Sequence, residues 1–160
     1  MTMLRTIRHL PVIALLFIPL TPVAAQYQED GEREAQSKLP QSRSALWATL
    51  RQTRIGIDEE NGLFTASFPT SVRALSGKTV SVSGFIMPLD AQTSGTHFLL
   101  SKYTPVCDFC PPGEPNEVVE VRTAKPIRFV QRMVTVTGRM TLQNNGDKGL
   151  FFQLANASVE

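Results

Sequence analysis

The chain of 160 residues is poor in the side chains that most chemistry requires: it has 2 cysteines, 2 histidines and 1 tryptophan. It has no glycine-rich phosphate loop and no Gly-x-Ser-x-Gly elbow, which removes the commonest signatures of nucleotide binding and of serine hydrolases. No apolar run approaches the roughly 20 residues needed to span a bilayer. The longest, residues 10–20, is interrupted by Pro11 and Pro19. With 42% hydrophobic and 19% charged residues, the composition excludes a disordered tail protein, a collagen and a polytopic membrane protein. The length is that of one compact domain.

The N-terminus reads as an address. Arg5 and Arg8 precede the apolar run, and Val23-Ala24-Ala25 places small residues ahead of Gln26. This is the pattern of a secretory signal peptide, residues 1–25, cleaved after Ala25. No cysteine near the cut offers a lipid attachment, and the two arginines are not adjacent as a twin-arginine route requires. The expected mature chain, residues 26–160, is therefore exported, periplasmic and not membrane-anchored. Loss of Arg5 and Arg8 leaves 14 basic against 14 acidic residues, a net charge of zero. A neutral chain lacks the footprint of a polyanion binder, so no nucleic acid partner is expected. His9 leaves as well, so His97 becomes the sole imidazole.

Residues 26–43 are polar and charged and read as a flexible leader, and residues 44–160 as the folded domain. Ser44 is positioned to cap a short helix that carries Leu46, Trp47 and Leu50 on one face, with Trp47 as a core plug. Asp58-Glu59-Glu60-Asn61-Gly62 predicts a turn, and Phe64, Ala66 and Phe68 alternate as a short strand ended by Pro69. From Gly77 onward the pattern is all-β. Val80, Val82 and Ile86 alternate with polar residues, and residues 97–101, 118–121, 133–142 and 150–159 are further strand candidates. Turn signals at Ser94-Gly95 and Asn144-Asn145-Gly146-Asp147 divide them into hairpin, single strand, hairpin.

A shift of 54 positions lays Val80-Ser81-Val82-Ser83-Gly84 on Val134-Thr135-Val136-Thr137-Gly138, and Gly95, Phe98 and Leu100 on Gly149, Phe152 and Leu154. Half-buried strands converge on such alternation, so the match is also what chance similarity would give. Gly84 and Gly138 sit inside strands, where a residue without Cβ lets a strand coil sharply and serve two sheets. The expected fold is all-β: a small five-stranded OB-like barrel with a short N-terminal helix, and a sandwich as second choice. The helix usual between strands three and four is expected only as a reduced stretch over residues 123–131, interrupted by Pro126.

Both cysteines lie in Cys107-Asp108-Phe109-Cys110-Pro111-Pro112-Gly113-Glu114-Pro115-Asn116, together with three of the eight prolines that follow residue 25. Proline fixes φ, so the segment holds a shape without secondary structure and suits a binding loop, with Phe109, Pro111, Pro112, Pro115 and Asn116 as its candidate contacts. Three chemistries stay open for Cys107 and Cys110. A local disulfide is expected in an exported protein. A thiol–disulfide redox site would need a thiolate at a helix start, whereas Pro111 and Pro112 remove two N–H groups there. A metal site would use the two thiolates with His97 and Asp108, and zinc is the metal such donors take. Arg122, Lys125, Arg128, Arg132 and Arg139 read as a solvated face.

The run Phe68-Pro69, Val72, Leu75, Gly77-Lys78, Gly84-Phe85-Ile86-Met87-Pro88-Leu89, Phe98-Leu99-Leu100, Cys107, Cys110-Pro111-Pro112, Pro115-Asn116 and Val121 resembles an uncharacterised family, a domain of unknown function in exported proteins of proteobacteria. The resemblance implies a periplasmic location and an ABC transporter component as a partner, because members are often encoded beside an ABC-type transporter and an exported metal-binding protein in gene sets linked to zinc supply. Relatives carry Cys-Ile-His-Val-Pro-Pro where this chain has Cys107-Asp108-Phe109-Cys110-Pro111-Pro112, without the histidine. The expected role is a non-catalytic periplasmic accessory or binding protein of a transport system, linked to zinc. The alternative is a thiol–disulfide redox protein using Cys107 and Cys110.

Overall fold

The computed structural model describes residues 30–106, 113–146 and 148–160. Its central feature is that the two repeated segments pair with each other. β3 (Thr79–Pro88) runs antiparallel to β6 (Met133–Leu142) with Val82 opposite Val136, Val80 opposite Gly138 and Gly84 opposite Val134. The pairing is centred on equivalent residues, so each repeat lies on the other turned end for end. Residues directly opposite share a face: Val82, Val134 and Val136 are buried. Ser81 and Thr137 hydrogen-bond on the outside, as do Ser83 and Thr135 at 3.0 Å.

β3 then changes partner. Residues up to Phe85 pair with β6, and Phe85 to Pro88 pair with β4 (Ser94–Ser101). At the handover, a Cβ on Gly84 would stand 2.6 Å from the carbonyl oxygen of Ser101. Only a residue without a side chain lets the strands approach this closely. β5 (Val118–Arg128) and β8 (Phe152–Val159) complete a closed barrel in the order β3-β4-β5-β8-β6, with β5 and β8 parallel and the other pairs antiparallel. The barrel is five-stranded and all-β, as the alternation predicts, and Gly138 lies where the β6–β8 register shifts.

Its interior is filled by Phe98, Leu100, Val119, Met140, Phe152 and Leu154. One opening is closed by α2 (Ala45–Leu50), whose Trp47 and Leu50 are buried. The Trp47 indole N–H donates to the carbonyl of Ser83 at 2.8 Å, and Ser42 Oγ donates to the same oxygen at 2.6 Å. That carbonyl lies past the end of the β3–β4 ladder, and a buried backbone acceptor needs a partner from elsewhere.

A second, smaller sheet joins β1 (Arg54–Asp58), β2 (Leu63–Ser67) and β7 (Asn145–Gly146). The turn between β1 and β2 falls where the sequence places it. Asn61 Nδ2 donates to the Asp58 carboxylate at 2.9 Å, as do the backbone N–H groups of Asn61 and Glu60 at 3.2 and 3.1 Å. These donors, the Asn61 side chain first, hold the Asp58 carboxyl below the ordinary aspartate range. A further short helix, α3 (Thr70–Arg73), buries Val72.

Four expectations are corrected. The described part of the leader is bound to the domain: residues 30–37 form α1 (Asp30–Ser37), Gln36 donates to the carbonyl of Thr104 at 3.3 Å, and Gln41 bridges to Tyr103. Its polar side chains serve loop backbone that would otherwise be unpaired. Ser94-Gly95 begins β4 instead of forming the turn, and residues 89–93 make the connection. Asn145-Gly146 pairs with Thr65 and Phe64 as β7, so the last hairpin's loop fastens the second sheet. The stretch 123–131 is no helix: β5 continues to Arg128, paired with Ser94 and Gly95. Pro126 lies in the stretch where the register shifts, the place in a sheet that tolerates a missing N–H. The signal-peptide region, residues 1–25, lies outside the described residues.

Candidate functional site

β4 and β5 are joined by the segment that carries the cysteines. Cys107, Asp108, Phe109, Cys110, Pro111 and Pro112 lie outside the described residues, so the disulfide, redox and metal readings of the pair are open. Both ends of the segment are described. Glu117, in a short 3-10 helix (Pro115–Glu117), has a side chain only 6% exposed. Its Oε1 accepts from Tyr103 Oη at 2.9 Å, and Arg51 Nε and Lys102 Nζ approach it to 3.2 and 3.4 Å. Its Oε2 accepts the backbone N–H of Glu114 at 3.1 Å. Gly113 turns with φ +93°, and a Cβ there would lie 2.7 Å from Glu117 Oε2 and 3.0 Å from the Tyr103 ring. A buried carboxylate thus clamps the departure and the return of the loop.

The other predicted site residues take separate places. Asn116 is a strut: its Nδ2 donates to the carbonyls of Thr53 at 3.1 Å and Arg51 at 3.4 Å. Pro115 packs 3.5 Å from where a Cβ on Gly149 would be. These two contacts anchor the loop's return to the body. His97 stands on β4 opposite Arg122. Its Nε2 lies 2.6 Å from Oε1 of the buried Glu120, which also accepts from Arg122 Nη2 at 2.8 Å. Among the described residues no group of three or more His, Cys, Asp or Glu is placed to hold a metal ion. Arg122, Lys125, Arg128, Arg132 and Arg139 are all exposed.

Ile86, Phe98, Leu100, Val119 and Val121 belong to the core, so their strand neighbours Met87, Leu99 and Val118 face outward. These three form a second buried apolar cluster with Leu150. Met87 pairs with Leu99, Leu99 with Glu120 and Glu120 with Gln153, a continuous row across four strands.

Beside this row lies a groove of about 620 Å³. Phe85, Ile86, Met87, Phe129 and Val130 give it an apolar floor. The β3–β4 turn and the crossing from β5 to β6 form its walls, tied together by the N–H of Phe129 donating to Thr93 at 2.9 Å. Phe129 is braced edge-on against Phe98 in the core, with ring centroids 5.7 Å apart. Asp90 and Arg128 lie on its lining, as do Thr104 and Pro105 at the base of the cysteine-bearing segment. Leu89, Val106 and Met133 are large apolar side chains left exposed; Leu89 and Val106 adjoin the lining residues Pro88 and Pro105 in sequence, and Met133 pairs with Phe85. The volume is that of a small-molecule site, an apolar floor with a few polar groups on its lining.

Sequence reasoning did not find this groove. Its residues come from separate stretches with no shared motif; the usable signal was Phe129-Val130, an apolar pair just beyond the end of β5 that packs against the core only in part. The Lys102–Tyr103–Glu117 cluster was missed because isolated charges in sequence read as solvated.

A family model described as a protein of unknown function, DUF3299, matches residues 22–156. The crystal structure of a DUF3299 family protein from Pseudomonas aeruginosa PAO1 is similar over 85% of this chain and 83% of that chain, with 22% identity and a TM-score of 0.50, a likeness of fold. No curated protein matches the chain.

Proposed function

The chain belongs to the DUF3299 family, and from that premise we propose that it is a non-catalytic binding protein whose ligand site is the groove between the β3–β4 turn and the β5–β6 crossing. The observation that carries this is the groove itself: about 620 Å³, lined by Phe85, Met87 and Phe129, with Phe129 braced on Phe98 of the core. A rigid, part-formed concave site of this size is the default seat of a small organic ligand.

The wider setting belongs to the same proposal. The N-terminal pattern supports an exported, periplasmic protein, and the sequence resemblance supports an accessory role beside an ABC-type transport system. A link to zinc supply would rest on Cys107 and Cys110, with His97 and Asp108 as the further donors, and so would the thiol–disulfide alternative.

The test uses 8-anilinonaphthalene-1-sulfonate, an aromatic anion whose fluorescence rises on apolar surface, its sulfonate suited to Arg128 on the lining. It is expected to bind the native protein with enhanced fluorescence. Ala91→Trp, on the exposed turn lining the groove, is expected to weaken it about tenfold, roughly the worth of one well-filled subsite, with the melting temperature unchanged. Absence of binding to the native protein, or binding indifferent to Ala91→Trp, would overturn the assignment.

A further inference from the structure

The groove's charges define its ligand more narrowly. Arg128 closes β5, and Asp90 stands on the β3–β4 turn; both line the groove. Among the described residues, no ion pair joins Asp90 to Arg128 or engages either with another side chain. The Asp90 carboxylate accepts one hydrogen bond, from the N–H of Gln92 at 3.0 Å. The buried carboxylates of the barrel are answered locally: Glu120 by Arg122, and Glu117 by Lys102 and Arg51. Here one cation and one anion flank an apolar floor and leave each other unneutralised.

We infer that the groove takes a zwitterionic ligand with an apolar body, as a short apolar peptide with free termini presents; this rests on the groove being the binding site. The physical reason is desolvation. A wholly apolar ligand would withdraw water from both charges and give nothing back. A simple anion would suit Arg128 and meet repulsion from Asp90, and a simple cation the reverse. A ligand with a carboxylate and an ammonium on one apolar frame answers both, with Phe85, Met87 and Phe129 beneath the frame. Both partners are solvent-exposed, so the charges select among ligands more than they strengthen binding.

The probe is trileucine with free termini, compared with its N-acetylated and C-amidated forms by calorimetric titration of the purified protein. The free peptide is expected to bind best, and blocking either end to weaken it about three- to fivefold, the worth of an exposed ion pair. The penalty for N-acetylation is expected to vanish in Asp90→Asn, and that for C-amidation in Arg128→Gln, as a double-mutant cycle requires of a direct contact. Equal binding of free and blocked peptides, penalties that persist in these variants, or no peptide binding while the anilinonaphthalene probe still binds, overturns the zwitterion assignment and leaves the groove assignment standing. Failure of every peptide and of the anilinonaphthalene probe overturns both.

Discussion

Glu117→Ala is expected to destabilise the fold by about 3–5 kcal/mol, the usual consequence of removing one partner from a buried charge pair. The carboxylate is the common acceptor for Tyr103, Lys102, Arg51 and the Glu114 amide. Its loss strands the Lys102 ammonium, whose side chain is only 11% exposed, without a counter-charge. For a domain of this size the melting temperature is expected to fall by roughly 10–20 °C. Most of that loss comes from the abandoned charge rather than from the missing bonds. Lys102→Met combined with Glu117→Ala is therefore expected to recover a large part of it. A single variant that melts within a degree or two of the parent would show that water already answers Lys102, and would remove the clamp from the account of the loop.

Gly84→Ala carries the second large effect. A methyl group there meets the Ser101 carbonyl at 2.6 Å and the Leu100 side chain at 2.9 Å. Backbone cannot move aside as a side chain can, so an overpacking cost of about 2–3 kcal/mol is expected, read as a lower urea midpoint with unchanged slope. Leu100→Ala in the same chain removes the side-chain contact but leaves the carbonyl, and is expected to give no rescue. Recovery in the double variant would mean that β3 and β4 are held apart by Leu100 and not by the handover of β3 from one partner to the other.

The barrel was legible because its strands carry their own instructions. Val80 to Gly84 and Val134 to Gly138 alternate with a period of two and put a glycine where the chain must coil, and Trp47 with Leu50 marks the face of the plugging helix. What escaped depended on partners distant in sequence. β1 is five residues with an exposed Ile57, a pattern too short and too polar to stand out before β2 is set against it. β5 runs past Val121 only because Ser94 and Gly95 offer it a ladder; taken alone, Thr123 to Gln131 shows a proline and no buried face. The leader's polar residues gave no sign that Gln36 and Ser42 would be buried, since their partners are backbone carbonyls, which sequence does not display. The site was legible in part. The segment with the cysteines was singled out, and Asn116 within it proved a strut, while the groove next to it has no local signature.

The mutual pairing of the two repeats also bears on how the chain is made. Val80 to Gly84 fits a near-copy of itself in reverse direction, so it fits the same five residues of a second molecule almost as well. Its proper mate is synthesised 54 positions later. A chain in which β6 has left β3 therefore presents an edge complementary to its own copy, the kind of strand edge that invites pairing between molecules.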